Sequence, residues 1–241
     1  MSQQSLESVN ARLIEHFKET GIENACYYAP VCPSEYWGDY HKKIAFCNIE
    51  PYNTKNDSDK VKGIVPIDEE RLYEHWFFGK TTERTFFLNY ALSRCLYDNL
   101  KTTEDTLLDQ RDDIKENRDL WYGNLCDDFD KSLYFNFRYT QSKTVNADNA
   151  YIDNAYRTDP FYCKHYRDFV KAAEIDILVV GGEVSAALLG LVYPDLQGKL
   201  TYCGEPILYD GVLFVSIPHP SRISYAEMAA VVNKIKSAIG R

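Results

Sequence analysis

Four short apolar runs constrain the fold of this chain more than any other feature. They are IAFCNI (44–49), SLYFNF (132–137), IDILVV (175–180) and VLFVSI (212–217). Each has strand length and is nearly continuously apolar, lacking the strict alternation of a sheet with one wet face. Helical patterns lie between and around them. Leu6, Val9, Leu13, Ile14 and Phe17 mark a helix over 5–19 that stops at Gly21. Similar patterns mark 68–78, 84–100, 160–174 and the segment that follows Gly181-Gly182. Ser224 with Glu227 forms a capping box that opens the last helix, which ends at Gly240. Buried strands separated by helices predict an α/β three-layer sandwich with a central four-stranded parallel sheet flanked by helices. The 241 residues suit a single domain, and 45% hydrophobic residues provide its core.

The remaining segments read as connections. CYYAPVCPSEYWGDYHKK (26–43) is rich in Pro, Gly and aromatics and is expected to be an irregular loop. Residues 53–63 form a polar loop, and the acidic stretch at 101–131 reads as a solvated helical insertion. A net charge of −9 excludes a protein that coats nucleic acid nonspecifically. It leaves room for one that touches a few phosphates through backbone amides. The 19 tyrosines and 12 phenylalanines suit both a core and a pocket that stacks on flat ligands. Seven cysteines at 26, 32, 47, 95, 126, 163 and 203 show no CxxC pair and no zinc spacing, so free thiols and no metal are expected. MSQQSLESVN lacks an apolar signal core, and no run of 18 apolar residues exists. A cytoplasmic protein without membrane contact is therefore expected.

In a parallel sheet of this kind, ligands bind outside the carboxyl ends of the strands. All four ends carry chemistry here. The first run leads into Asn48-Ile49-Glu50-Pro51-Tyr52-Asn53, the second carries Asn136, and the third reaches Gly181-Gly182. The fourth delivers Pro218-His219-Pro220-Ser221-Arg222, a histidine held between two prolines.

NIEPYN after the first strand, LYFNFRYT on the second, ILVVGGEVSAALLG at the third and HPSRIS after the fourth resemble, in this order, the uracil-DNA glycosylase superfamily. That family carries a water-positioning motif, often Gly-Gln-Asp-Pro-Tyr-His, then a base-reading Asn, then a His-Pro-Ser loop. The resemblance covers about 40–55 and 130–235. It implies a metal-free hydrolase, without cofactor, that acts on uracil-containing or damaged DNA. Glu50 would stand for the water-activating Asp. Tyr52 would crowd C5 of the base and exclude thymine. Asn136 would read the Watson–Crick edge, and His219 would stabilise the leaving base. Ser221 would bind a phosphate, and Ile223 aligns with a leucine wedge that enters the minor groove. The chain departs from the family at Asn48, which replaces a glycine, at Asn53, which replaces a histidine, and at Arg222, which replaces a proline. Arg222 then either contacts phosphate or pairs with a surface acid.

The chemistry is coherent on its own terms. Breaking an N-glycosidic bond builds positive charge on the sugar and negative charge on the base. A carboxylate can hold water beside the sugar, and a neutral imidazole can stabilise the departing anion. A flat base needs an amide at its edge and an aromatic face, for which Phe77 and Phe78 are candidates. Two other functions compete with an enzyme on DNA. One is a catalytically silent module that binds nucleic acid or protein. The other is an N-glycosidase acting on small nucleotides, which the acidic balance suits.

Overall fold

The four apolar runs form strands: β2 (Ile44–Asn48), β4 (Ser132–Asn136), β5 (Ile177–Gly181) and β7 (Val212–Ile217). The computed structural model describes residues 5–28, 42–48, 62–67, 91–92, 94–96, 101–116, 132–140, 149–219 and 222–240. Around the strands lie α1 (Leu6–Glu19), α2 (Glu104–Glu116), α3 (Asn149–Thr158), α4 (Pro160–Ala172), α5 (Glu183–Val192) and α6 (Tyr225–Ile239). A 3-10 turn follows α5 at Pro194–Leu196. Residues 91, 92 and 94–96 are helical, within the helix expected over 84–100. The helix expected over 68–78 lies outside the described residues.

The sheet is mixed and five-stranded, in place of the four parallel strands expected. Its order is β4-β2-β5-β7-β6, where β6 (Ile207–Tyr209) is an added antiparallel edge. The physical cause is the turn Asp210-Gly211, with both residues at positive φ (49° and 82°). That two-residue turn matches the twist of a hairpin and folds β6 back onto β7. The other pairs, β2 with β4, β2 with β5 and β5 with β7, are all parallel.

A second correction concerns the loop expected from Cys26. Its start is strand β1 (Ala25–Tyr28), paired in parallel with β3 (Ile64–Ile67) as a separate two-stranded sheet. The Cys26 N–H donates to the Tyr139 carbonyl (2.7 Å), which ties this small sheet to the chain leaving β4.

Alternate side chains of the large sheet feed two cores, as its apolar runs require. Ala45, Cys47, Leu133, Phe135, Leu178, Val180 and Phe214 pack in one cluster with residues of α1, α3, α4 and α5. Ile44, Phe46, Ile177, Val179, Leu213, Val215 and Ile217 pack on the other face with α6, Leu107 of α2, Ala91, Leu92 and Cys95. Each large side chain taken from water contributes about 1.5–3 kcal/mol, so both faces hold the sheet. Helix caps follow the sequence signals. Ser5 caps α1 through the Ser8 N–H, Asp159 caps α4 through the Phe161 N–H, and Ser224 with Glu227 completes the capping box of α6.

Candidate functional site

The site is built on strand register. β2 and β4 align Asn48 directly with Asn136 at their carboxyl ends. The alternation that sends Ile44 and Phe46 into the α6-side core sends Asn48 to that same face. Both asparagines are buried, at 8% and 2% exposure. Buried polar side chains need partners, so two of them side by side at a strand end are informative. The Phe137 N–H donates to the Asn48 carbonyl (3.0 Å), which carries the ladder one step past the strands.

The neighbouring strands continue the row. β5 pairs Val180 with Cys47, so one step further along the register sets Gly181 beside Asn48. Gly181 in turn pairs with Ile217 of β7. The row therefore reads Asn136, Asn48, Gly181, Ile217. Gly181 adds no side chain to it. The chain steps from β2 outward to β4 on one side, then to β5 and β7 on the other. The crevice above β2 and β5 is thus the topological switch point, where open α/β sheets take ligands. Strands spaced about 4.8 Å apart put about 14 Å of backbone between Asn136 and Ile217. A ring about 5 Å across, with a hydrogen bond of about 3 Å at each edge, covers most of that span.

Gly182 closes the third corner. It has φ 96° and ψ 153°, a region open in practice only to glycine. Its N–H donates to the Ile217 carbonyl (2.9 Å), joining the ends of β5 and β7. Helix α5 then begins without a side-chain cap, and the buried Ser185 hydroxyl donates to the Gly181 carbonyl (2.8 Å).

His219 follows β7 directly. The Arg222 N–H donates to its carbonyl (2.7 Å). Burial lowers the His219 pKa below the usual histidine value, and the Arg222 charge lowers it further. The imidazole is held neutral at neutral pH. In that state it can donate a hydrogen bond to a developing anion without first losing a proton. Arg222 itself is exposed.

The expected site residues divide three ways. Asn48, Asn136, His219 and Arg222 stand at the carboxyl ends of β2, β4 and β7 or in the turn that follows. Glu50, Tyr52 and Ser221 lie outside the described residues, as do Pro51, Asn53, Phe77 and Phe78. Ile223 corrects the expectation of a wedge. It is fully buried in the α6-side core and has no free end to insert into a groove. The reason is local. Ile223 precedes the N-cap Ser224, and Met228 is the fourth residue of α6; both are fully buried in one cluster. Those are the two positions of a hydrophobic staple, which fixes how the chain enters a helix. The spacing Ile223-Ser224-x-x-Glu227-Met228 carries that signal in the sequence.

Sequence reasoning also missed Arg138. Its guanidinium lies over the Tyr151 ring, 4.4 Å from the centroid, and its Nε donates to Thr140 Oγ1 (2.8 Å). This cation–π pair flanks a cavity of about 20 Å³ among Phe17, Phe137, Tyr139 and Tyr156. Among the described residues no group of His, Cys, Asp or Glu could hold a metal ion, and no helix is long and apolar enough to cross a membrane. The five described cysteines, 26, 47, 95, 163 and 203, are free thiols. No protein-family model, no curated protein and no solved structure matches the chain.

Proposed function

We propose that this chain is a DNA glycosylase-like hydrolase that accepts an extruded uracil or a related damaged base and cleaves its N-glycosidic bond. The observation that carries the reading is the in-register pair Asn48 and Asn136, buried at the carboxyl ends of adjacent parallel strands. Carboxamides both donate and accept, so they suit the edge of a heterocycle better than a phosphate or an apolar ligand. The four parallel strands with helices on each face are taken as the glycosylase-like core, and the β6 edge as an addition to it. In this scheme the bond between C1′ and the base nitrogen breaks, and its electron pair leaves with the base. The neutral His219 imidazole donates a hydrogen bond to the base oxygen that gains the charge. Glu50 holds the water that adds to C1′, its carboxylate balances the positive sugar, and the proton the water loses ends on the departed base.

The test is base release from a single-stranded oligonucleotide bearing one uracil, read as alkali-labile sites. Wild type is expected to release uracil, and Glu50→Gln and His219→Ala are expected to lose that activity while keeping the fold. Because protonation would remove the neutral imidazole, the rate is expected to hold at neutral pH and to fall only below the usual histidine range. Failure to release any of a panel of damaged bases would leave a silent binding module.

A second reading has its own support. The burial of Ile223 and the charge of −9 favour an N-glycosidase on a free nucleotide over one on duplex DNA. Release from deoxyuridine monophosphate as fast as from the oligonucleotide, with little salt dependence, would select it.

A further inference from the structure

Strand β6 ends the main sheet on one side, with no strand beyond it among the described residues. The two-residue turn Asp210-Gly211 makes Tyr209 and Val212 a hydrogen-bonded pair. Bonded and non-bonded pairs alternate along an antiparallel ladder, so Leu208 and Leu213 form a non-bonded one. The Leu208 N–H and C=O therefore point away from β7. Among the described residues nothing hydrogen-bonds them. The Leu208 side chain lies on the face of Leu213 and is 71% exposed, more than any other large apolar side chain described. A single exposed leucine is ordinary. One whose backbone donor and acceptor also face outward on a sheet edge is a template for an added strand. An antiparallel strand suits it, because one residue opposite Leu208 then pairs both groups. Pro206, just before β6, offers no N–H and keeps the addition short.

Charge selects among the strands that could take this place. Glu205 and Asp210 flank β6 in the chain, and both are exposed. The Tyr209 hydroxyl donates to Asp195 Oδ2 (2.7 Å), which holds a third exposed carboxylate beside the strand. Lys234 pairs with Glu205 (2.9 Å), whereas Asp195 and Asp210 have no ion-pair partner among the described residues. A second copy of the chain would bring the same acids, and a net charge of −9, against its twin. Like charges thus oppose a dimer through β6, and the same charges attract a cationic strand.

We propose that β6 is a docking edge for an extended cationic peptide, which adds antiparallel to it with an apolar residue opposite Leu208 and basic residues on either side of that one. The apolar side chain covers Leu208, and its basic neighbours point to the other face, where Tyr209 holds Asp195. This edge is independent of the base-binding reading.

The test is amide NMR of the full chain, titrated with three capped peptides. They are Thr-Val-Lys-Val-Lys-Val-Thr, the same peptide with Glu for Lys, and a copy of the first N-methylated at its central valine. The Leu208 amide is expected to move on adding the lysine peptide, which binds about tenfold more tightly than the glutamate peptide at low salt. N-methylation removes the donor to the Leu208 carbonyl and is expected to abolish binding. Asp210→Asn keeps the turn chemistry and Asp195→Asn keeps an acceptor for Tyr209. Together they should bring the lysine and glutamate peptides to nearly equal affinity. Leu208→Pro removes the outward N–H without touching the ladder to β7 and should also abolish binding. Equal binding of all three peptides by wild type, or a Leu208 amide that none of them moves, would overturn the proposal. So would a Leu208 amide that shifts with protein concentration alone, which would make a second copy the occupant. Each of these results leaves the base-binding reading untouched.

Discussion

His165 gives the sharpest quantitative prediction, because its environment fixes its protonation. The side chain is 4% exposed, between Phe161 (ring centroids 5.8 Å, 8° between planes), Tyr139 (5.6 Å) and Phe169 (6.3 Å). Burial lowers its pKa to about 3; Asp168 opposes the shift, while Arg12, His16 and Lys164 add to it. In the unfolded chain a histidine titrates near about 6.5. The folded value lies below the unfolded one, so between those values the unfolded state binds a proton that the native state refuses. The stability contributed by neutral His165 is therefore complete above the unfolded value and is lost as pH falls. The slope is about 1.4 kcal/mol per pH unit, which amounts to about 2 kcal/mol between pH 7 and pH 5. Any folded value below about 4 gives nearly the same loss at pH 5. The perturbation is His165→Leu, an uncharged side chain of similar size. Urea unfolding of both proteins at the two pH values measures it, since carboxylates and the other histidines titrate alike in each. Wild type should lose about 2 kcal/mol more than the variant. Equal losses, within about 0.5 kcal/mol, would mean that His165 is protonated inside the fold and that the packing argument is wrong.

Two further changes test the architecture. Gly182→Ala places a side chain at φ 96° and ψ 153° and should cost about 1–3 kcal/mol, read as a lowered Tm; an unchanged Tm would refute the strained turn. Ile223→Ala should cost about 2–4 kcal/mol in urea unfolding if Ile223 is a buried staple, whereas a solvent-facing wedge would leave stability unchanged.

The strands of the main sheet were legible because their continuous apolar runs have one physical use, burial on both faces. The helix ends were legible because Ser5 and Ser224 stand directly before helical patterns. Asp210-Gly211 was legible too, as the strongest short hairpin signal in the chain, and reading it would have supplied β6. The staple that buries Ile223 was likewise written locally, but a loop resemblance pointed the other way. Other features had no local signature. β1 is four residues beside a proline-rich stretch, and its partner β3 contains Pro66, a residue that argues against a strand. Their pairing joins segments about 40 residues apart and rests on tertiary contacts. For the site, sequence named both asparagines but could not place them side by side. Adjacency of Asn48 and Asn136 is a product of register, which no window of either strand contains.

That register has a consequence for how the protein reaches its working form. The two asparagines are about 90 residues apart in the chain, and their strands pair only after a long loop closes. Contacts of such high sequence separation form slowly, so this alignment is a late product of folding. A slip of one residue between β2 and β4 would turn Asn136 toward the opposite core and bring Phe135 or Phe137 to its place. The carboxamide pair thus doubles as a proofreader of topology. A chain that has paired β2 and β4 out of register buries an amide among aromatic rings, and only the correct alignment keeps both asparagines on one face.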